Sequence, residues 1–104
     1  MTQLESRLAA LAATGETVTY GALARELGLR MADLTAQLET LMEEDATLNR
    51  PFRAALLRQR LSPDQLPAPG FFQKAAGLGA DISDPESFVA AHRARLFGMQ
   101  TDSA

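Results

Sequence analysis

The stretch from Thr17 to Leu41 constrains the fold of this chain more than any other. It opens on a β-branched run, Thr17-Val18-Thr19, which suits a brief strand. Apolar residues at helical spacing then predict a helix over residues 20–27, with Thr19 as its N-cap and Gly28 as its end. A second apolar stripe follows this glycine turn. A short helix, a tight turn and a longer helix are typical of a helix-turn-helix.

The longer helix has the most regular apolar pattern in the chain. Its stripe consists of Met31, Leu34, Leu38, Leu41 and Met42. Three consecutive acids follow, Glu43-Glu44-Asp45, and consecutive residues point in different directions on a helix. We therefore interpret this run as a solvated helix end that frays over residues 45–49.

Another helix precedes this unit. Thr2 and Glu5 have the spacing of a capping box, in which each side chain accepts a hydrogen bond from the other residue's backbone. An apolar stripe of Leu4, Leu8 and Leu11 follows, and Gly15 ends the helix.

The segment after the helix-turn-helix is ambiguous. Pro51 prevents a helix from continuing through it. The alanines of Phe52–Arg60 favour a helix, whereas the position of the segment favours a strand. We predict a strand centred on residues 54–59, with a proline-rich hairpin tip, or a replacement for it, extending to Pro69.

Two further helices are predicted at the C-terminal end. One is short and is anchored by Phe71 and Phe72; the other begins at Ser83-Asp-Pro-Glu86, which supplies a cap, a first-turn proline and an acid near the helix dipole. We expect the last helix to end at Gly98 and residues 99–104 to form a flexible tail.

The predicted fold class is mainly α with a small β-ribbon (α+β). We expect a winged helix-turn-helix with two extra C-terminal helices. Residues 1–98 then form a single domain, in which residues 1–70 are the helix-turn-helix with its wing and residues 71–98 are the C-terminal helices. A chain of 104 residues is long enough for one such core.

The composition excludes several classes of function. With no cysteine and one histidine, His92, the chain has neither a disulfide framework nor the ligands of a zinc site. His92 has no serine or other nucleophile in a recognisable motif, so we expect no enzyme, no catalytic residue, no metal and no cofactor. The lack of a signal peptide or an apolar span predicts a cytoplasmic protein with no membrane contact.

Charge is distributed unevenly along the chain. Residues 1–45 carry three basic and eight acidic side chains, whereas residues 46–104 carry seven basic and five acidic ones. Arginines on a wing would suit the phosphates of a DNA backbone, and Tyr20 and Arg30 would lie near the same surface. The candidate nucleic-acid-binding residues are therefore Tyr20, Arg30, Arg50, Arg53, Arg58 and Arg60.

The acidic third helix argues against this hypothesis. As a recognition helix it would present Asp33, Glu39 and Glu43 to a groove lined by phosphates, which repel them. We therefore favour a non-enzymatic interaction module that pairs with itself or with another protein. The apolar side of the last helix is the candidate interface: Phe88, Val89, His92, Leu96 and Phe97.

The run Thr19-Tyr-Gly-Ala-Leu-Ala-Arg-Glu-Leu-Gly28 resembles the start of the DNA-binding domain in alkylguanine DNA alkyltransferases and alkyltransferase-like proteins. The tyrosine of that family acts at a DNA phosphate beside the flipped base, so the resemblance implies this place for Tyr20. The family's arginine finger is absent from Met31–Gln37, and Arg50-Pro-Phe-Arg53 lacks the family's cysteine and histidine. The resemblance thus implies a winged-helix fold without alkyl transfer.

Overall fold

The computed structural model describes residues 2–101, and the side chains of residues 2–98. The mainly helical α+β class predicted from the sequence is confirmed, with five α-helices and one small sheet in this part of the chain. The helices are α1 (Gln3–Thr14), α2 (Tyr20–Leu27), α3 (Met31–Thr47), α4 (Pro69–Gly77) and α5 (Pro85–Thr101). The strands are β1 (Val18–Thr19) and β2 (Leu57–Arg58), and a 3-10 turn covers Arg53–Leu56.

Local signals determine the first two helices. Thr2 and Glu5 form the predicted capping box, with both hydrogen bonds at 3.1 Å. Thr19 Oγ1 accepts from the backbone N–H of Ala22 at the start of α2. Gly15 and Gly28 end α1 and α2 with φ angles of 73° and 67°, which L-residues with a Cβ rarely adopt.

The predicted strand over residues 54–59 is corrected. Residues 53–56 form the 3-10 turn, and only Leu57 and Arg58 pair as a strand. β2 runs parallel to β1, with Val18 opposite Leu57 and Thr19 opposite Arg58, so this pairing is not a hairpin. The physical reason is that the backbone N–H groups before the turn have other partners: Phe52 N–H donates to His92, and Arg53 N–H donates to Asp45.

Helix α3 continues through the acidic run instead of fraying at Asp45. It ends at Thr47, and the side chain of Asp45 is 0% exposed. The interpretation of all three acids as a solvated helix end is therefore wrong for Asp45. This residue lies three positions after Met42 and four after Leu41, and so continues the buried stripe of the helix.

Asp45 is the centre of a charged cluster made of Asp45, Arg50, Arg53 and Glu5 (the Asp45 cluster). Arg50 Nη2 donates to Asp45 Oδ1 at 3.0 Å, and Arg53 donates to the carboxylate from its backbone N and its Nε at 3.0–3.2 Å. Arg53 Nη1 also donates to Glu5 Oε2 at 3.1 Å. The cluster thus links α3, the segment before the 3-10 turn and the start of α1.

The pKa values in the cluster reflect these contacts. Burial lowers the pKa of Arg53, but hydrogen bonds and charge attraction from Asp45 and Glu5 outweigh it and raise the pKa overall. The pKa of Glu5 is lowered by the hydrogen bond from the Thr2 backbone and then by Arg53. Arg53 Nη2 lies 3.0 Å from Asp45 Oδ1, but the geometry is not that of a hydrogen bond. This contact is therefore an ion pair only.

One hydrophobic core joins all the elements. The apolar residues of the sequence predict nine members of this core, and eight of them are buried: Leu8, Leu11, Val18, Leu23, Leu34, Leu38, Leu41 and Leu56. Leu27 is only partly buried and packs against the edge of the core. Ala55, Leu57 and Val89 are also buried in the core, so the 3-10 turn, β2 and α5 pack against the same interior.

The C-terminal helices begin as predicted. α4 starts at Pro69, and Asp84 accepts from the backbone N–H and the hydroxyl of Ser87 at the start of α5. α5 continues past Gly98 to Thr101, which corrects the predicted end; a single glycine in a helix costs only about 1 kcal/mol. Residues 102–104 of the expected tail lie outside the described residues.

No described helix is long and apolar enough to cross a bilayer.

The Asp45 cluster predicts a large effect for one substitution. Asp45→Ala leaves a buried guanidinium and the Arg53 N–H without their acceptor, and we expect it to lower the free energy of unfolding by about 3–5 kcal/mol. Urea denaturation followed by circular dichroism at neutral pH measures this. The neighbouring exposed acid is the control, because Glu44→Ala removes only a 3.9 Å contact and should cost less than about 1 kcal/mol. Equal losses in the two variants would contradict a structural role for the cluster.

Candidate binding groove

A large concave surface lies beside α3. It is a groove of about 690 Å³ between the start of α2, the outer side of α3, the segment after β2 and the start of α4. β1, α2 and α3 supply one side, and residues 59–71 supply the other. The groove is therefore formed only when residues 19–42 pack against residues 54–71.

The floor of the groove is apolar. It consists of buried side chains from α3, the 3-10 turn and α4: Leu38, Met42, Ala54 and Phe71. Met31, at the start of α3, is 49% exposed at the same surface. A concave apolar floor with a few polar groups is the usual composition of a binding site.

The rim of the groove carries charge. Arg25 from α2, Arg60 from the segment after β2 and Glu39 from α3 are exposed there. Within the described part of the chain, none of the three makes an ion pair. The two guanidinium groups are thus free to bind an anionic group next to an apolar one.

Tyr20 fixes one wall of the groove. Its hydroxyl accepts a hydrogen bond of 3.0 Å from the backbone N–H of Ala68, which ties the start of α2 to the segment leading into α4. Burial raises the pKa of Tyr20, partly offset by the hydrogen bond from Ala68 and the charge of Arg93. The phenol therefore remains protonated at neutral pH, and its oxygen serves as an internal acceptor.

The six residues predicted to bind nucleic acid fall into separate groups. Tyr20 and Arg60 line the groove, whereas Arg50 and Arg53 belong to the Asp45 cluster. Arg58 Nε donates to Thr17 Oγ1 at 3.2 Å, and Arg30 Nε lies 3.2 Å from the carboxylate of Asp33. The charges of Arg50, Arg53 and Arg30 are thus at least partly met by carboxylates of the chain itself.

The predicted interface residues on α5 face the interior. Val89 and Leu96 are buried in the core. Phe88 is partly buried, with its ring centroid 6.2 Å from those of both Phe52 and Phe71. Phe97 is partly buried against the core. The fold therefore already uses most of this apolar surface for internal packing.

The side chain of His92 makes contacts that stabilise the fold. Its Nδ1 accepts from the backbone N–H of Phe52 at 2.8 Å, and its ring stacks on the Phe52 ring with centroids 5.1 Å apart. Burial lowers the pKa of His92; the charge of Arg95 lowers it further, and that of Asp45 opposes them. An Nδ1 that accepts a hydrogen bond is unprotonated, so the fold selects the neutral imidazole.

Arg93 was missed by reasoning from the sequence. Its Nε donates to the carbonyl of Ala55 at 2.7 Å, and its Nη2 donates to those of Leu57 and Gln65 at 3.3 and 2.8 Å. The sequence did contain a signal that Arg93 would face the interior of the fold. Residue 93 falls on the same helical stripe as Val89 and Leu96. Arg93 thereby holds the segment that forms one side of the groove.

The described side chains of the groove offer groups that can bind a ligand. No set of three histidine or acidic side chains among them is grouped to hold a metal ion. No family model matches the chain, and neither the curated proteins nor the solved structures contain a match. The functional inference therefore depends on the groove itself.

The environment of His92 predicts a pH dependence of stability. Because its pKa in the folded state is lowered, the unfolded chain takes up the proton first as the pH falls through the ordinary histidine value of about 6.5. We expect the free energy of unfolding to decrease from pH 7.5 towards pH 5 and to level off below the folded-state pKa. His92→Asn, whose amide oxygen can replace Nδ1 as acceptor, should show a shallower decrease in urea denaturation series. Identical slopes for the two proteins would contradict this account.

Proposed function

We propose that this protein is a non-enzymatic interaction domain that binds an apolar segment of a protein in the groove between α2, α3 and α4. The observation that carries the proposal is a concave groove with an apolar floor and the half-exposed side chain of Met31, beside two arginines without ion-pair partners in the described chain. Because Met31 is 49% exposed, covering it contributes part of the roughly 1.5–3 kcal/mol that full burial of a large apolar side chain supplies.

A protein ligand fits the chemistry of the groove better than a nucleic acid. Its floor is apolar, whereas DNA presents phosphates and polar base edges that require basic and hydrogen-bonding groups. Glu39 stands on the rim without an ion pair in the described chain. A polyanion approaching the groove would meet this carboxylate, and Arg50 and Arg53 are already paired with Asp45.

We also propose that β1, α2 and α3 form a helix-turn-helix of the winged-helix type, in which residues 59–68 take the place of a wing. Support comes from the order of the elements and from the three-residue turn between α2 and α3. In this arrangement the surface that contacts DNA in other helix-turn-helix domains contacts a protein instead. Residues 59–68, which replace the wing, form the second wall of the groove.

A bulky substitution at a residue that lines the groove tests the proposal. A Cβ added at Gly21 meets no atom within 4 Å, and its φ is not in the left-handed region, so Gly21→Trp should block the groove without strain. Peptides selected on the wild type from a phage-displayed library should bind Gly21→Trp at least about tenfold more weakly in fluorescence anisotropy titrations.

The matched control is Gly77→Trp. Gly77 also has open space for a Cβ, but it lies at the end of α4 and not in the groove. This variant should bind the selected peptides like the wild type. Failure to select any peptide, or equal binding by both tryptophan variants, would overturn the proposal.

The same assay with labelled duplex DNA covers the alternative function. We expect no binding by the wild type at low salt. Salt-sensitive DNA binding that survives Gly21→Trp but is lost in Arg58→Ala with Arg60→Ala would replace the protein-binding proposal with a nucleic-acid one.

A further inference from the structure

The most exposed large apolar side chain of the described chain is Leu61, which is 87% exposed. It lies in the segment of residues 59–68 (the 59–68 loop), next to Arg60 on the rim of the groove. A single exposed leucine is common on protein surfaces. The structure of the loop that carries it makes this one unusual.

The 59–68 loop is held in place by hydrogen bonds at both ends. Gln59 N–H donates to the carbonyl of Leu66 at 2.9 Å, and Gln59 Nε2 donates to that of Pro67 at 3.2 Å. The hydroxyl of Ser62 accepts from Leu66 N–H, and Arg93 Nη2 donates to the carbonyl of Gln65 at 2.8 Å. The loop is thus ordered, and it holds Leu61 out in solvent.

Holding an apolar side chain out on an ordered loop lowers the entropic cost of burying it in a partner. A flexible loop must be immobilised on binding, whereas an ordered one has already lost most of that freedom in folding. Large apolar side chains held in this way are typical anchors of protein interfaces. Leu61 is therefore suited to enter an apolar pocket on another molecule.

The loop carries both signs of charge. Arg60 contributes to the groove, together with Arg25. Asp64 lines a smaller depression together with Glu86, and both carboxylates are exposed. Arg93 also lines that depression, but its guanidinium is bound to three backbone carbonyls. The loop thus combines an apolar anchor with an exposed acid, and the groove that it borders has a basic rim.

We propose that the occupant of the groove is the 59–68 loop of a second copy of this chain, which makes the protein a symmetric homodimer. Leu61 of each copy enters the groove of the other, and Asp64 of each copy lies against Arg25 of the other. This inference deepens the proposed function, on which it rests, by naming the partner.

Two-fold symmetry requires a self-complementary patch. In such a dimer the same surface of each copy must contain both the projecting group and its receptor. The 59–68 loop borders the groove through Gln59 and Arg60, and Leu61 is the next residue of the chain, so the anchor lies close to its receptor. A reciprocal contact buries two copies of Leu61 and forms two pairs of opposite charge, which a contact with an unrelated peptide would supply only once.

Sedimentation equilibrium of the full chain tests the inference. We expect the weight-average mass to rise from 11.2 kDa towards twice that value between about 10 µM and about 1 mM protein. Leu61→Asp should weaken self-association at least about 100-fold, because each dimer loses two buried leucines. The control is Leu48→Asp, at another exposed leucine that lies beyond the end of α3 and outside the groove, and it should associate like the wild type.

A charge exchange tests the pairing itself. Arg25→Asp and Asp64→Arg should each weaken self-association several-fold, and the double variant should recover most of the loss because the pair is re-formed with its charges reversed. Circular dichroism checks that each variant is folded. A double variant weaker than both single ones would overturn the pairing of these two residues.

The outcomes separate this inference from the proposed function. A wild type that stays monomeric at about 1 mM overturns the homodimer, and a dimer that Gly21→Trp leaves intact overturns the placement of the loop in the groove. Peptide binding measured at low micromolar concentration, where the chain is monomeric, still reports on the groove as a binding site. Loss of both self-association and peptide binding in the wild type removes both proposals.

Discussion

The buried carboxylate of Asp45 is the interaction on which the rest of the structure depends. It accepts from Arg50 and Arg53, and Arg53 reaches on to Glu5 at the start of α1. A buried ion pair of this kind adds little stability compared with apolar packing, but removal of one partner is costly. The cluster therefore matters mainly because it fixes where the chain turns after α3. With that turn fixed, Leu57 and Arg58 lie beside β1 in a parallel register.

The same constraint determines the groove. From β2 the chain reaches α4 through residues 59–68, and Gln59, Arg60 and Ala68 of this connection line the groove. Arg93 and Tyr20 hold the connection, Arg93 by donating to the carbonyl of Gln65 and Tyr20 by accepting from the N–H of Ala68. This connection forms a wall of the groove, and the floor beside it is apolar. Structural polar contacts in one part of the molecule thereby shape an apolar groove in another.

The arginines show how composition alone misleads. Arg50, Arg53, Arg58 and Arg60 form a basic stretch in the sequence, which indicates a surface for phosphates. In the fold, two of them neutralise a buried acid, one donates to Thr17, and only Arg60 joins Arg25 on the rim of the groove. Charges close together in sequence act together only if the fold turns them the same way.

The sequence by itself determined the features that depend on neighbouring residues: the capping box of Thr2 and Glu5, the glycine ends of α1 and α2, the apolar stripe of α3 and most of the core. Only the tertiary structure decided the rest. Residues 53–58 have no strong preference between helix and strand, so contacts with Asp45, His92 and β1 selected their conformation. The groove likewise brings together residues from 19 to 71, and no local pattern contains that information. The physical reason is that caps and stripes are short-range signals, whereas a buried charge and a groove are defined by partners distant in sequence.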